Sequence, residues 1–332
     1  MDTFSHAMRT ALLSKADPDS GLIPLPAFIE TALYEPHLGY YAQTDRHRVG
    51  RSSKTDFYTA ASLGEVFGRL VMEAATDGLH APPEETAFVE FGPESERGVL
   101  GKLTSPFKEI ICVRPGQTFH IPSPAVVFSN ELFDAQPFRR FQFDGTTWLE
   151  AAVASTIDET DAPSYTLIYT APLSPLPPLP STPPIGYTVD WPSGALALLS
   201  RICEQPWEGR FIALDYGLME HDLLHLRPQG TARAYAQHRL DNDFLSSPGT
   251  RDITCHIAWD PLESILRAHQ FQGLSLLRQE TFFMRHAPST IEKIVLQDPT
   301  SFSPERMTLM EILHPQNMGS RFQVLSGSRI LS

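Results

Sequence analysis

From Thr86 onward the chain alternates short apolar runs with turns. Ala87-Phe-Val-Glu-Phe91, Glu109-Ile-Ile-Cys-Val113, Ala125-Val-Val-Phe-Ser129 and Arg210-Phe-Ile-Ala-Leu-Asp215 carry little polar alternation. Such runs predict strands buried on both faces, as in a mostly parallel sheet covered by helices. Upstream the period is helical. Pro26 to Tyr34 reads as a short apolar helix, and from Ala60 the residues Leu63, Val66, Phe67, Leu70, Val71 and Ala74 share one face. Ser62 and Glu65 have the spacing of a capping box. Between these helices Pro36 and Gly39 break the pattern, and the polar run Thr44 to Thr55 reads as a loop.

Phe138 to Phe143, then Asp144-Gly145, then Thr147 to Val153 has the turn chemistry of a β-hairpin, which Tyr165 to Thr170 extends. Further helices are expected at about Ser193 to Glu204, Pro261 to His269 and Pro304 to Leu313. Strands are expected at about Asp252 to Ile257 and Phe322 to Leu325. The division that follows is a helical section over 1–84 and an α/β domain over 85–332, with an insert at about 138–192.

Composition narrows the function classes. The chain has 332 residues, 42% hydrophobic and 20% charged, which suits a globular protein rather than a disordered or membrane one. Its 39 acids against 26 bases give a net charge of −13, which argues against a general nucleic-acid binder. No run approaches the length of a membrane span, and Met1 to Ala16 lacks the features of a secretory signal. The three cysteines, Cys112, Cys203 and Cys255, form no CxxC pair, so a reducing cytoplasm is the expected compartment. Of 29 prolines, seven fall between Pro172 and Pro184, where they predict an extended connector; a ligand for a proline-binding module is the lesser reading.

Two strand exits are candidates for chemistry, because open α/β sheets bind ligands beyond the carboxyl ends of their strands. The first is Glu90-Phe-Gly-Pro-Glu-Ser-Glu-Arg-Gly-Val99, where Gly92 allows a sharp exit and Gly98 lies near an expected helix start. An ordinary β–α turn that uses glycine is the plain alternative. The second is Asn130-Glu-Leu-Phe-Asp-Ala-Gln-Pro137, with an amide at Asn130 and carboxylates at Glu131 and Asp134. Its plain alternative is a loop whose Asn and Asp satisfy turn backbone groups.

These stretches, with others, resemble the MidA-like family of S-adenosylmethionine-dependent methyltransferases, which includes a mitochondrial arginine methyltransferase of complex I assembly. Tyr34-Glu-Pro-His-Leu-Gly-Tyr-Tyr41 resembles the family's Y-x-P-x-x-G-Y-Y, and Asp56-Phe-Tyr-Thr59 with Phe67-Gly68 its D-F-x-T-S-P-E…F-G. Asn130 to Pro137 resembles N-E-x-x-D-A-x-P, and Asp215-Tyr-Gly217 matches D-Y-G. Gly230-Thr231, Tyr235 and His238-Arg239 resemble G-T-x-x-x-Y-x-x-H-R, and Pro248-Gly249 with Asp252 to His256 resembles P-G…D-x-T-x-H. Met318-Gly319 and Phe322 to Leu325 resemble its last strand. The resemblance implies a class I methyltransferase fold, Rossmann-like, with helices on both faces. It implies S-adenosyl-L-methionine as cofactor, held by Asp56, Thr59, Glu90, Gly92, Pro93 and Gly98, and a protein as substrate or partner. Asn130, Glu131 and Asp134 become the catalytic candidates, with Asn130 and Glu131 holding the acceptor amine.

The chain also departs from the family pattern. The motif G-P-G-R-G-T becomes Gly92-Pro-Glu94-Ser95-Glu96, so side chains stand where the family has glycine and should crowd the cofactor. No acid follows the second strand, which ends Val113-Arg114, and only Pro115 to Pro124 separates it from the third. The Pro and Glu of D-F-x-T-S-P-E are absent after Thr59. Two functions are therefore carried forward: an N-methyltransferase of a protein side chain, arginine by resemblance, and a non-catalytic relative that uses the fold for binding or assembly. His221-Asp-Leu-Leu-His225 has a zinc-like spacing but no evident third ligand, and a surface helix or loop is the better reading. His256, in a matched segment, reads equally as a structural histidine or a substrate contact.

Overall fold

The buried strand segments assemble side by side into one six-stranded sheet. In the computed structural model, which describes residues 3–43, 64–157, 162–236, 239–297 and 303–331, its strands are β1 (Ala87–Phe91), β2 (Glu109–Val113), β3 (Ala125–Asn130), β8 (Gly209–Asp215), β11 (Gln272–Arg278) and β12 (Gln323–Arg329). Between β3 and β8 the chain adds β4 (Arg139–Phe143), β5 (Trp148–Ile157), β6 (Pro163–Thr170) and β7 (Thr188–Trp191). Beyond β8 come the short β9 (Arg233–Ala236) and β10 (Asp252–Thr254). The strand order in the main sheet is β11-β12-β8-β3-β1-β2. Neighbours from β2 through β8 pair in parallel, whereas β12 runs against both β8 and β11. The sheet is thus mixed: one reversed strand sits in an otherwise parallel array.

Side chains along these strands alternate between two cores, as the two-residue period of a strand requires. Phe88, Val126, Phe128, Ile212 and Leu214 face one layer. It is built from α3 (Glu65–Thr76), α7 (Gln279–His286), α8 (Pro288–Gln297) and α9 (Pro304–Leu313). Val89, Phe91, Val127, Phe211 and Ala213 face the other, where α4 (Ser193–Glu204) and α6 (Trp259–Ala268) pack. Helices on both faces are what the unbroken apolar runs required.

The insert forms its own sheet, with β5 flanked by β4 and β6, and β7 pairing β4. The hairpin closes at Phe143↔Trp148, and Asp144 Oδ1 accepts from the Thr146 and Thr147 N–H groups. The N-terminal helices α1 (Thr3–Leu13) and α2 (Leu25–Tyr34) bury Leu12, Phe28, Ile29 and Leu33 in a cluster with Val153 of the insert and with Ala234, Phe244 and Ile253. The proline segment has no regular structure but is held down: Arg139 donates to the Ser174 and Pro175 carbonyls, and Trp148 Nε1 to that of Pro180.

Two expectations change. Residues 92–104 form turns and no helix, so Gly98 opens no helix. Strand β11 and helices α7 and α8, which the periodicity did not single out, complete the sheet edge and one helical layer. Helix α3 is described from its N-cap Gly64, which makes no side-chain hydrogen bond, and Ser62 of the expected capping box lies outside the described residues. The polar run Thr44 to Thr55, Asp56 and Thr59 lie outside the described residues. Among the described residues no helix is long and apolar enough to cross a membrane.

One side chain locks the back of the sheet. Arg329, near the end of β12, is 5% exposed and donates to the carbonyls of Cys203, Gln205 and Trp207, at the exit of α4. Its guanidinium lies between the Trp207 and Phe271 rings, 5.0 and 4.9 Å from their centroids. Lysine keeps the charge but loses the planar fork. Arg329→Lys is therefore expected to lower unfolding free energy by about 2 kcal/mol, read by urea denaturation.

Candidate active site

The carboxyl ends of β1, β3 and β8 lie side by side and carry most of the candidate residues. β3 ends in Asn130, which is 6% exposed. Glu131 follows with φ +48°, a left-handed conformation that a non-glycine residue adopts only where its surroundings hold it. One restraint is visible: the Glu131 N–H donates to the Leu214 carbonyl of β8 at 2.9 Å. The Asn130 amide reaches the Glu131 carboxylate at 3.4 Å.

The next turn is organised by a carboxylate at the end of β8. Asp215 is 0% exposed; its Oδ2 accepts from the Phe133 and Asp134 N–H groups at 2.9 and 3.3 Å, and its Oδ1 from that of Tyr216 at 2.9 Å. Asp134, 3% exposed, accepts the Cys255 N–H on its carbonyl. Burial raises Asp134 to about 6, opposed by the Tyr216 hydroxyl and by backbone donors. Asp215 is also raised, by burial and then by the charge of Asp134, while its backbone donors pull the other way. No Lys or Arg side chain is paired with either carboxylate among the described residues.

Four buried polar atoms at or near these strand ends have no partner: Ser129 Oγ, Asn130 Oδ1, Asp134 Oδ1 and His256 Nδ1. Burial, with Arg227 and Arg233 nearby, lowers His256 to about 4, so its ring is neutral at ordinary pH. Its backbone N–H donates to the Thr231 hydroxyl, and its ring meets that of Tyr216 edge-on at 5.6 Å. Buried polar atoms are almost always hydrogen-bonded, so such a group marks a place for a ligand rich in donors. The aromatic motif near the N-terminus supports this region from outside: Tyr34 donates to the Ala135 carbonyl, Tyr41 to Asp252, and their rings stack at 5.6 Å.

The β1 exit is different. Gly92 has φ +70°, and a Cβ there would meet the Leu132 side chain at 2.7 Å. This contact joins the β1 turn to the β3 loop, so Gly92 and the Asn130 segment do come together. The Gly92 N–H donates to the Val113 carbonyl, and Pro93 is buried. Glu90, 4% exposed, turns to accept the Val99 N–H at 2.7 Å. A Cβ on Gly98 would lie 2.2 Å from that carboxylate and 2.9 Å from Cys112 Sγ. Gly98 is thus required by the approach of Glu90, and the helix start expected at this glycine is replaced by a turn closed on Glu90.

A cofactor cradle needs glycines that face open space and backbone donors aimed at the ligand. Both glycines here face protein atoms, the residues between include the exposed Glu94, Ser95 and Glu96, and the end of β2 offers Arg114, whose N–H donates to Gln117, instead of a carboxylate. The described residues of this turn offer S-adenosyl-L-methionine no glycine-rich cradle, and Asp56 and Thr59, the other expected contacts, lie outside the described residues, so no chemical step is derived through it.

Of the sequence candidates, the structure joins Asn130 to Glu131, places Asp134 in the same loop against Asp215, sets Gly92 against Leu132 of that loop, and turns Glu90 toward Val99 and Gly98; Asp56 and Thr59 lie outside the described residues. The sequence reading gave no role to Asp215 or Tyr216, although the D-Y-G match marked their position. His221 and His225 lie on a six-residue helix, Glu220–His225, with rings 4.8 Å apart, and no cluster of three metal-ligating side chains occurs among the described residues.

Glu90 offers a direct test of the turn. Burial raises its carboxyl to about 7, the Val99 N–H opposes this, and Glu94 adds to it. The folded protein therefore holds a proton on Glu90 at a pH where the unfolded chain has lost it. Stability from this group is present in acid and is lost as pH rises from 4.5 to about 7. Glu90→Gln keeps an acceptor for Val99 and removes the titration. Relative to wild type it is expected to gain about 3 kcal/mol between about pH 4 and about pH 8, measured by denaturant unfolding at several pH values.

Comparison with known proteins agrees with the fold. Residues 108–276 match the profile of a family described as "Putative S-adenosyl-L-methionine-dependent methyltransferase". The zebrafish (Danio rerio) protein arginine methyltransferase NDUFAF7, mitochondrial, is 24% identical over 92% of this chain and 83% of its own length. A crystal structure from Burkholderia thailandensis, bound to S-adenosyl-homocysteine, superposes with a TM-score of 0.83 at 23% identity, over 98% of this chain and 92% of that one. A native crystal structure of an uncharacterized protein of the same superfamily and organism gives 0.77 at 22% identity, over the same shares. The family profile spans about half the chain, through β2, β3, the insert, β8 and β11, and the protein belongs to the MidA-like family of S-adenosyl-L-methionine-dependent methyltransferases.

Proposed function

We propose that this protein binds a side-chain nitrogen of a partner protein at the ends of β1, β3 and β8, and serves as an S-adenosyl-L-methionine-dependent methyltransferase of that nitrogen. The observation that carries this reading is the group of buried polar atoms without partners, among them Asn130 Oδ1, Asp134 Oδ1 and His256 Nδ1, in a region with two buried carboxylates and no cation paired with them among the described residues. Guanidinium and ammonium groups present N–H donors and positive charge, and so supply what these atoms lack. Arginine is favoured because its planar fork can bond a carboxylate and an amide oxygen together. The zebrafish relative, named as a protein arginine methyltransferase, supports the same choice.

In this reading the chain's own residues position the acceptor. Asn130 and Asp134 accept from its N–H groups, Glu131 is held in the left-handed turn beside them, and neutral His256 adds an uncharged acceptor. Fixing the nitrogen in this way supplies orientation, a large part of what a transfer enzyme contributes.

A second reading, non-catalytic binding of the same side chain, is favoured by the closed β1 turn, in which Glu90 and Leu132 meet the two glycine positions. Calorimetric titration of the folded protein with S-adenosyl-L-methionine and S-adenosyl-homocysteine separates the two. The enzyme predicts micromolar binding of either, and transfer of labelled methyl to an arginine-containing protein that falls at least tenfold in Asn130→Ala. No heat at millimolar ligand would sink catalysis and leave the binding role.

A further inference from the structure

The insert reaches the strand ends through one buried ion pair. Arg140 of β4 and Asp190 of β7 stand opposite each other in an antiparallel pair. Val189 and Trp191, the neighbours of Asp190, face the cluster that holds Phe141 and Phe143, so Asp190 points to the other side of the insert's sheet. There it is 1% exposed. The Arg140 guanidinium donates to its two oxygens at 2.7 and 3.0 Å, and Oδ2 also accepts the Thr231 and Ala232 N–H groups at 2.6 and 2.8 Å. A Cβ on Gly230 would lie 2.3 Å from that oxygen, so the chain entering Thr231 runs directly against the carboxylate.

The same stretch holds His256. β9 and β10 pair Arg233 with Thr254, and that register carried two residues further sets Thr231 opposite His256. There the Thr231 hydroxyl accepts the His256 N–H at 3.2 Å. One residue earlier the Cys255 N–H donates to the Asp134 carbonyl at 2.9 Å. Consecutive residues are thus tied on one side to the loop after β3 and on the other, through Thr231, to the insert's ion pair. The His256 ring lies edge-on to Tyr216 at 5.6 Å, and its Nδ1 is buried without a partner. Packing does not require the hydroxyl, since valine would fill the same space at residue 231, which is 4% exposed.

We propose that Asp190 and Thr231 are positioning residues for His256: the Asp190 carboxylate fixes the Thr231 main chain, and the Thr231 hydroxyl holds the His256 N–H so that Nδ1 is presented to the bound side-chain nitrogen, a role that rests on the acceptor site described above. Each link is a direct hydrogen bond. A buried ion pair gains little stability over apolar residues of the same volume, but one whose oxygens are all engaged holds its neighbours in a single geometry. Asp190 engages both oxygens, and so ties the insert to the chain that carries His256. The Asn130 and Asp134 side chains take no part in these bonds, so the loss of either link acts on one acceptor and leaves the other two in place.

The test has two readouts. Hydrogen exchange at the His256 amide of the ligand-free protein, followed by NMR, reports the hold of Thr231, and calorimetric titration with N-acetyl-arginine amide reports its consequence for binding. In Thr231→Val the amide should exchange at least about tenfold faster, and the probe should bind about fivefold more weakly. Thr231→Ser keeps the hydroxyl and should hold both readouts within about twofold of wild type. Asp190→Asn should move both in the same direction as Thr231→Val. In a His256→Ala background, Thr231→Val should change probe affinity by less than about twofold, because its effect passes through the ring already removed. Thr231→Ala takes the place of Thr231→Val if that variant is not folded by circular dichroism. Unchanged exchange in the folded residue-231 variant, or an equal loss of affinity with and without the His256 ring, overturns the positioning role. Unchanged exchange and affinity in folded Asp190→Asn overturn the share of Asp190. Faster exchange in the variant, with no probe binding even to wild type, upholds the hold of Thr231 on His256 but overturns the acceptor site it was proposed to serve.

Discussion

The carboxylate of Asp215 is the point on which the strand ends depend. It caps β8 while accepting from Phe133 and Asp134 in the loop after β3 and from its own neighbour Tyr216. A buried carboxylate without a cation is costly, and backbone donors are what make this one tolerable. In return the loop after β3 is fixed closely enough to carry Glu131 in a left-handed conformation and Asn130 with its amide oxygen unpartnered. Strain and unmet hydrogen bonds persist only where the surroundings over-determine them. Here the over-determination comes from parallel pairing of β3 and β8 below the loop and Asp215 above it.

The two halves of the strand-end region differ in how they meet their polar demands. On the β3–β8 side, buried polar atoms of Ser129, Asn130, Asp134 and His256 have no partner. On the β1 side the demands are met internally: Glu90 takes the Val99 N–H, Gly92 donates to Val113, and Leu132 packs over the turn. A side that retains unmet acceptors costs stability unless something binds there. A side that satisfies itself carries no such cost, and a helix can be exchanged for a turn without leaving buried backbone groups orphaned. That contrast explains how the chain can keep the family's sheet and acceptor loop while its glycine motif has changed.

Much of the architecture was legible because burial on two faces leaves a strong mark. The runs at Ala87, Glu109, Ala125 and Arg210 all became strands of one sheet, and the hairpin around Asp144-Gly145 formed as its turn chemistry required. The segments not singled out were those without such a mark. Gln272 to Arg278 lies at the sheet edge with mostly half-buried or exposed residues, so its pattern is weak.

For the site, the sequence by itself determined which residues stand at the strand exits, since a residue that follows a buried strand in an open α/β sheet has little choice of position. Asn130, Glu131, Asp134 and Gly92 were found in this way. It could not determine where their side chains turn. Glu90 and Asp134 are both buried acids near strand ends, yet one folds back onto a backbone N–H and the other keeps an oxygen open. Nor could it reveal that Asp215, 81 positions downstream, fixes the Asp134 backbone. Hydrogen-bond satisfaction is a property of the packed whole. Which polar atoms find partners, and which are left for a ligand, was therefore decided only when β8 and β10 came to rest against the loop after β3.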